Sequence, residues 1–229
     1  MIAALELEIA PLARCFRRRE DHRGGYTVWE RDEAVLVCGG IGARHAADVT
    51  RWVIASRNPE GVMSVGFAGA LEPNRKVGDV IIPAQVIDGS TGEVFAVQSG
   101  QGVLVSSTEV KTAIGKRELA TRYHAQAVDM EAAAVARVTR ELCVPFRAVK
   151  VVSDELDFAM PPMDQFVDDH GQFRASKLLA YAAVRPRLWP VLLQLSRNSR
   201  LASSQLCSWL GNHISRDFQQ VTQPVMARP

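Results

Sequence analysis

The residues of this chain best suited to chemistry are carboxylates at the ends of apolar runs. Ser153 and Asp154 close the run Ala148-Val149-Lys150-Val151-Val152. A carboxylate at the end of a buried strand is desolvated, keeps its proton to higher pH and can donate it near neutrality. The plainer role for the same pair is a turn or helix cap. Asp129, Met130 and Glu131 precede Ala132-Ala133-Ala134-Val135-Ala136. Small side chains there let a helix press on a sheet, and Glu131 at its start can offer a carboxylate to paired ligand hydroxyls; acids in a first turn also simply complement the helix dipole. Glu8, ending the run that begins at Ile2, completes a set of three acids.

Two glycine turns accompany them. Gly66-Phe67-Ala68-Gly69-Ala70-Leu71 follows a strand-like run, where missing Cβ atoms let backbone amides approach a ligand. Gly39-Gly40-Ile41-Gly42-Ala43-Arg44-His45 stands between a strand and a helix. Amides at a helix start attract anions, so Gly42 and Arg44 are candidates to hold phosphate, with a simple turn and a solvated Arg44 as the alternative. His45 has no ligand partner at helical spacing, and no metal site is expected. The GxGxxG dinucleotide and GxxxxGK[ST] phosphate-loop patterns are absent.

The elements that must position these residues alternate. Residues 34–38, 61–65, 80–83 and 148–152 read as strands, and 43–57 and 129–142 as helices, which indicates an α/β layered fold with function at strand ends. Residues 89–102, with Thr91-Gly92-Glu93-Val94, suggest an antiparallel hairpin. From Phe173 onward the chain turns helical and basic, and Pro186 and Pro190 predict two or more short helices. An amphipathic stretch over 201–214 follows, with Trp209 on its apolar side, and 219–229 reads as a frayed tail. The domain expectation is thus one unit of 229 residues: a core to 172, a helical cap over 173–218 and the tail. The cap serves either for packing or as a partner or membrane surface.

Composition narrows the function classes. A net charge of +2 with 23% charged residues disfavours nucleic acid as a ligand. Cys15, Cys38, Cys143 and Cys207 are scattered, which predicts reduced, partly buried thiols rather than zinc or disulfides. Glu6 and Glu8 interrupt the first apolar run before a signal-peptide core forms, and no apolar stretch approaches the roughly 20 residues of a membrane span. The expected location is cytoplasmic, with peripheral membrane contact through the C-terminal helices as the alternative to a plain packing cap.

Taken in order, Ala4-Leu5-Glu6-Leu7-Glu8, Gly40-Ile41-Gly42, Gly66-Phe67-Ala68-Gly69-Ala70-Leu71, Lys76-Val77-Gly78-Asp79-Val80, Asp129-Met130-Glu131-Ala132-Ala133-Ala134 and Ser153-Asp154 resemble the purine nucleoside phosphorylase and methylthioadenosine/S-adenosylhomocysteine nucleosidase superfamily. The resemblance implies a three-layer α/β/α domain with a central mixed sheet, usually a dimer or larger homo-oligomer, that cleaves a purine N-glycosidic bond without a cofactor, with inorganic phosphate as co-substrate in the phosphorylases. It further implies that Asp154 protonates the base at N7, Ser153 orients Asp154, Glu131 holds the ribose hydroxyls, Met130 packs under the sugar and Glu8 activates water. By the same resemblance Asp129, Gly66, Phe67 and Ala68 belong to the substrate site. Phe67 stands where the nucleosidase branch carries Ser, which also admits a nucleoside-binding protein that has lost catalysis. Arg185-Pro186-Arg187-Leu188-Trp189-Pro190 looks like the hopanoid-associated branch, whose implied reaction is release of adenine from adenosylhopane.

Overall fold

A computed structural model describes residues 1–21, 25–97, 100–161, 163–168 and 170–217. The tail expected over 219–229 lies outside the described residues. In chain order the elements are β1 (Ile2–Ala3), α1 (Glu6–Ala13), β2 (Arg17–Asp21), β3 (Tyr26–Arg31), β4 (Ala34–Cys38), α2 (Ala43–Arg57), β5 (Val62–Ala70), β6 (Val80–Ile81), β7 (Gln85–Asp88), β8 (Val94–Ala96), β9 (Val103–Ser106), α3 (Ala113–Tyr123), β10 (Ala127–Asp129), α4 (Ala132–Glu141), β11 (Phe146–Asp154), α5 (Ala175–Ala183) and α6 (Trp189–Asp217).

The strands form one mixed sheet in the order β2-β3-β4-β1-β5-β10-β9-β7-β8, with β11 paired to β5 and to β6. Its hub is β5, parallel to β1 and β11 and antiparallel to β10. Both β5 and β11 are buried along most of their length because both faces are covered. Met63, Val65, Val149 and Val151 face α1 and α6 in one core cluster. Val62, Ala148 and Val152 face the opposite way, with the alanines of α4 and the apolar side of α2 in the clusters on that side. The expected layers of helix, mixed sheet and helix are therefore found, as is the antiparallel hairpin, formed by β7 and β8.

Several local expectations change. The run from Ile2 to Glu8 is not one strand: β1 stops at Ala3, and Glu8 sits on α1, whose first turn it closes by reaching back to the amide of Leu5. Gly66 to Gly69 do not form a turn after a strand but continue β5, because each glycine admits a side chain from elsewhere at close range. Asp129 belongs to β10, and the helix after it begins only at Ala132. The short C-terminal helices are in fact α5 and a single 29-residue α6. Pro190 is the second residue of α6, where no backbone N–H is needed, so it starts the helix instead of breaking it. All four cysteines are free, and Cys15 and Cys143 are exposed instead of partly buried.

The second half of α6 is core: Ala202, Leu206, Cys207 and Leu210 pack with Ile9 and Leu12 of α1, and the Ser203 hydroxyl donates to the Glu8 carbonyl at 3.1 Å. The first half has a different face, since Leu193 is 60% exposed. No helix among the described residues is long and apolar enough to cross a membrane. Leu206→Ala is expected to cost about 3 kcal/mol in urea unfolding, and Leu193→Ala less than about 0.5 kcal/mol; equal losses would contradict this division of α6.

Candidate active site

The C-terminal ends of β5, β10 and β11 open on a cavity of about 830 Å³. Its polar end is built on buried charge. Asp129, on β10, receives the Ser106 hydroxyl at 2.5 Å on one oxygen; on the other it receives the Ala132 amide and the Lys150 ammonium, both at 2.9 Å. Glu131, in the N-cap position of α4, accepts the Gly42 amide at 2.8 Å. Glu8 accepts three backbone amides, those of Ala4 and Leu5 at 2.9 Å and that of Phe67 at 2.8 Å. Its carboxylate occupies the space beside Gly66, where a Cβ would lie 2.7 Å from the oxygen and where φ is +146°.

These three carboxylates share one buried cation, Lys150, which stands opposite Gly66 on β11. Burial pushes Glu131 up to about 7 despite Lys150, with the Asp129 and Glu8 charges adding to the rise. Burial also raises Glu8, against the pull of Lys150 and its three amides. Lys150 itself is raised, because the three carboxylates outweigh its desolvation. The cluster therefore holds a proton easily gained or lost near neutrality.

Asp154 is aimed by a bulge. Val152 pairs with Ala68 and Asp154 with Gly69, so Ser153 is an extra residue in β11, and such an insertion turns the strand end and re-aims its side chains. The Ser153 hydroxyl donates to Asp154 Oδ1 at 2.8 Å, and Lys116 of α3 pairs with Oδ2. The rest of the lining is largely apolar and includes Leu5, Phe67, Met163, Phe173, Leu179 and Leu192.

Residues 1–114 and 96–183 match the phosphorylase superfamily. The chain belongs to this superfamily. Among its relatives, the 5'-methylthioadenosine/S-adenosylhomocysteine nucleosidase of Marinomonas sp. (strain MWYL1) is 30% identical over 161 residues, which span 55% of this chain and 70% of that protein. The same nucleosidase from Neisseria meningitidis, solved with methylthio-immucillin-A, superposes with a TM-score of 0.71 at 22% identity, covering 93% of this chain and 96% of that one. Futalosine hydrolase of Helicobacter pylori superposes with a TM-score of 0.64 at 17% identity, over 92% and 96% of the two chains. The expectation of an enzyme of the nucleosidase and phosphorylase type is met by these relatives.

The sequence singles out eleven positions, nine by the superfamily resemblance and Gly42 and Arg44 as an anion site, and the structure gathers most of them. Glu8, Gly42, Phe67, Ala68, Asp129, Met130, Glu131, Ser153 and Asp154 all line the cavity. Gly66 does not line it; its role is to make room for Glu8. Arg44 is exposed and away from the lining. The amides of the first glycine turn are engaged within the protein: Gly40 donates to the Ala4 carbonyl, Ile41 to the Gly171 carbonyl and Gly42 to Glu131. The anion site expected from Gly42 and Arg44 is thus not assembled. Lys116 and Lys150 escaped the sequence reading. A lysine inside the Val-rich run of β11 was a legible signal for Lys150, whereas Lys116, in the string Lys116-Arg117-Glu118, carried none.

A carboxyl whose pKa is raised by folding stabilises the folded state fully below its ordinary range, and this contribution is lost as pH rises through the folded value. For Glu131 the loss falls between about 4.5 and about 7 and amounts to on the order of 3 kcal/mol. Thermal melts from pH 5 to pH 8 are expected to show falling stability in the native chain and a shallower slope in Glu131→Gln. Parallel slopes would show that Glu131 does not hold the proton.

Proposed function

We propose that the protein hydrolyses the N-glycosidic bond of an adenine nucleoside carrying an apolar 5′ substituent. The observation that carries this reading is one cavity lined by Asp154, Glu131 and Glu8 together with a largely apolar set of side chains. Glycosidic cleavage passes through an oxocarbenium-like state, so it needs an acid for the departing base and negative charge near the sugar. Asp154 supplies the proton to N7, and its carboxylate also suits the exocyclic amine, the donor next to N7 on adenine. Glu131 accepts from the ribose hydroxyls with Met130 under the ring, and Glu8 takes the proton of the water that attacks C1′. Atoms balance: the nucleoside and water yield free base and free sugar.

Water is preferred to phosphate because the glycine-turn amides are engaged inside the protein and Arg44 lies away from the cavity. No cofactor is required. Phe67 does not count against turnover, since it is the Phe67 amide, and not its side chain, that bonds Glu8. The extended apolar wall favours a lipid-like 5′ group, the class to which adenosylhopane belongs. Leu179 lines the cavity and is yet 69% exposed, and the same C-terminal helical region exposes Val184, Trp189 and Leu193. These exposed apolar side chains suit a membrane surface from which such a substrate would enter. A homo-oligomer, most simply a dimer, is the proposed assembly, in line with the superfamily resemblance.

The test is base release from 5′-methylthioadenosine with and without phosphate. Free adenine and free sugar are expected in both, and Asp154→Asn should lower kcat by at least about 100-fold with an unchanged melting curve. Sugar 1-phosphate as the product would replace water by phosphate. Undiminished turnover in Asp154→Asn would remove Asp154 from its role, and tight nucleoside binding without release would favour a binding protein.

A further inference from the structure

Helix α3 buries a single residue, and that residue is Lys116. A buried ammonium costs several kcal/mol unless it is paired, and Lys116 has two partners. Its Nζ donates to Asp154 Oδ2 and, at 2.8 Å, to the Glu155 carbonyl. Lys116 and Asp154 both line the cavity, with side chains 2% and 7% exposed. Gly69 makes the pairing feasible, since a Cβ there would stand 3.0 Å from both Asp154 Oδ2 and Lys116 Cε.

Asp154 therefore meets the cavity with both oxygens accepting, Oδ1 from Ser153 and Oδ2 from Lys116. An acid that protonates a base needs a proton of its own; of the two donors within hydrogen-bond reach, the Ser153 hydroxyl and the Lys116 ammonium, the ammonium is the one whose deprotonation leaves a stable neutral group. We propose that the proton Asp154 passes to the leaving base is drawn from Lys116, so that Lys116 is a positioning and proton-supplying residue acting through Asp154. The inference rests on the glycosidic-cleavage reading above. In the step, an Nζ proton moves to Oδ2 and on to N7 while the C1′–N9 bond breaks and its electron pair stays with the base. Lys116 is left as a neutral amine and regains a proton from solvent after the base departs; the proton of the attacking water goes to Glu8.

The charged groups around Lys116 leave it to Asp154. From β11 only Asp154 meets it with a carboxylate, because the Glu155 carboxylate pairs with Lys76. On α3 itself Arg117 pairs outward with Asp157, and before the helix Lys111 pairs with Glu109. Glu8, Asp129 and Glu131 occupy other parts of the cavity lining, grouped around Lys150.

The experiment measures kcat and KM for 5′-methylthioadenosine from pH 5 to pH 10 in the native chain, Lys116→Arg and Lys116→Met. Arginine keeps the cation and donors but does not give up a proton, so Lys116→Arg is expected to lose about 100-fold in kcat with KM within a few-fold. In Lys116→Met the buried Asp154, without its cation, must carry its own proton. Activity should then survive on the acid side and fall as pH rises, the alkaline limb moving at least 2 pH units toward acid. A Lys116→Arg enzyme with native kcat, or a Lys116→Met profile superimposable on the native one after scaling, would overturn the proposal and leave Lys116 a structural counter-ion. A native chain that releases no base at any pH would instead overturn the cleavage reading and, with it, this inference.

Discussion

The buried ammonium of Lys150 is the constraint on which the site depends. Three carboxylates from three separate parts of the chain, Glu8 on α1, Asp129 on β10 and Glu131 before α4, converge around it, and Asp129 bonds it directly. Without that cation their mutual repulsion and desolvation would have no counterweight. With it, one positive charge still stands against three negative ones, and burial, with the Asp129 and Glu8 charges adding to it, lets Glu131 take a proton near neutrality. The same strand that carries Lys150 ends, one bulge later, in Asp154. One strand thus carries both the cation that gathers Glu8, Asp129 and Glu131 and the fourth acid, Asp154.

The layered fold was legible because its signals are local and strong. Val-rich runs on β4, β5 and β11 and the Ala-rich face of α4 specify a sheet covered on both sides. The acids were legible as residue types at strand ends. Their mode of support was not. Glu8 is tied to Phe67 across 59 residues and Asp154 to Lys116 across 38, and no periodicity reports such contacts. Gly66 and Gly69 were misread as turn residues because a glycine that admits a distant side chain looks the same in a sequence as one that bends the backbone. Pro190 misled similarly, since proline both ends and begins helices.

Helix α6 serves both the core and the cavity. Residues 201–210 of α6 complete the packing around α1, while Leu192 and Leu195, earlier in the same helix, extend the apolar wall begun by Phe67 and Leu5. Phe67 joins the two functions: its amide secures Glu8, and its ring contributes to the chamber and to the core behind it. A serine at that position would keep the first contact and lose the second. The departure from the nucleosidase pattern at Phe67 in this way changes the apolar lining and leaves the bond to Glu8 in place.

The central claim, that an acid set for nucleoside cleavage opens onto an apolar chamber for the 5′ group, is tested most directly with a series of 5′-alkylthioadenosines from methyl to octyl. Adenine release is followed for each member and kcat/KM is taken from the initial rates. Each methylene that enters the chamber is worth about 0.8 kcal/mol, so kcat/KM is predicted to rise about three- to fourfold per carbon until the chamber is filled. A value that stays level or falls from the methyl compound onward would contradict the account.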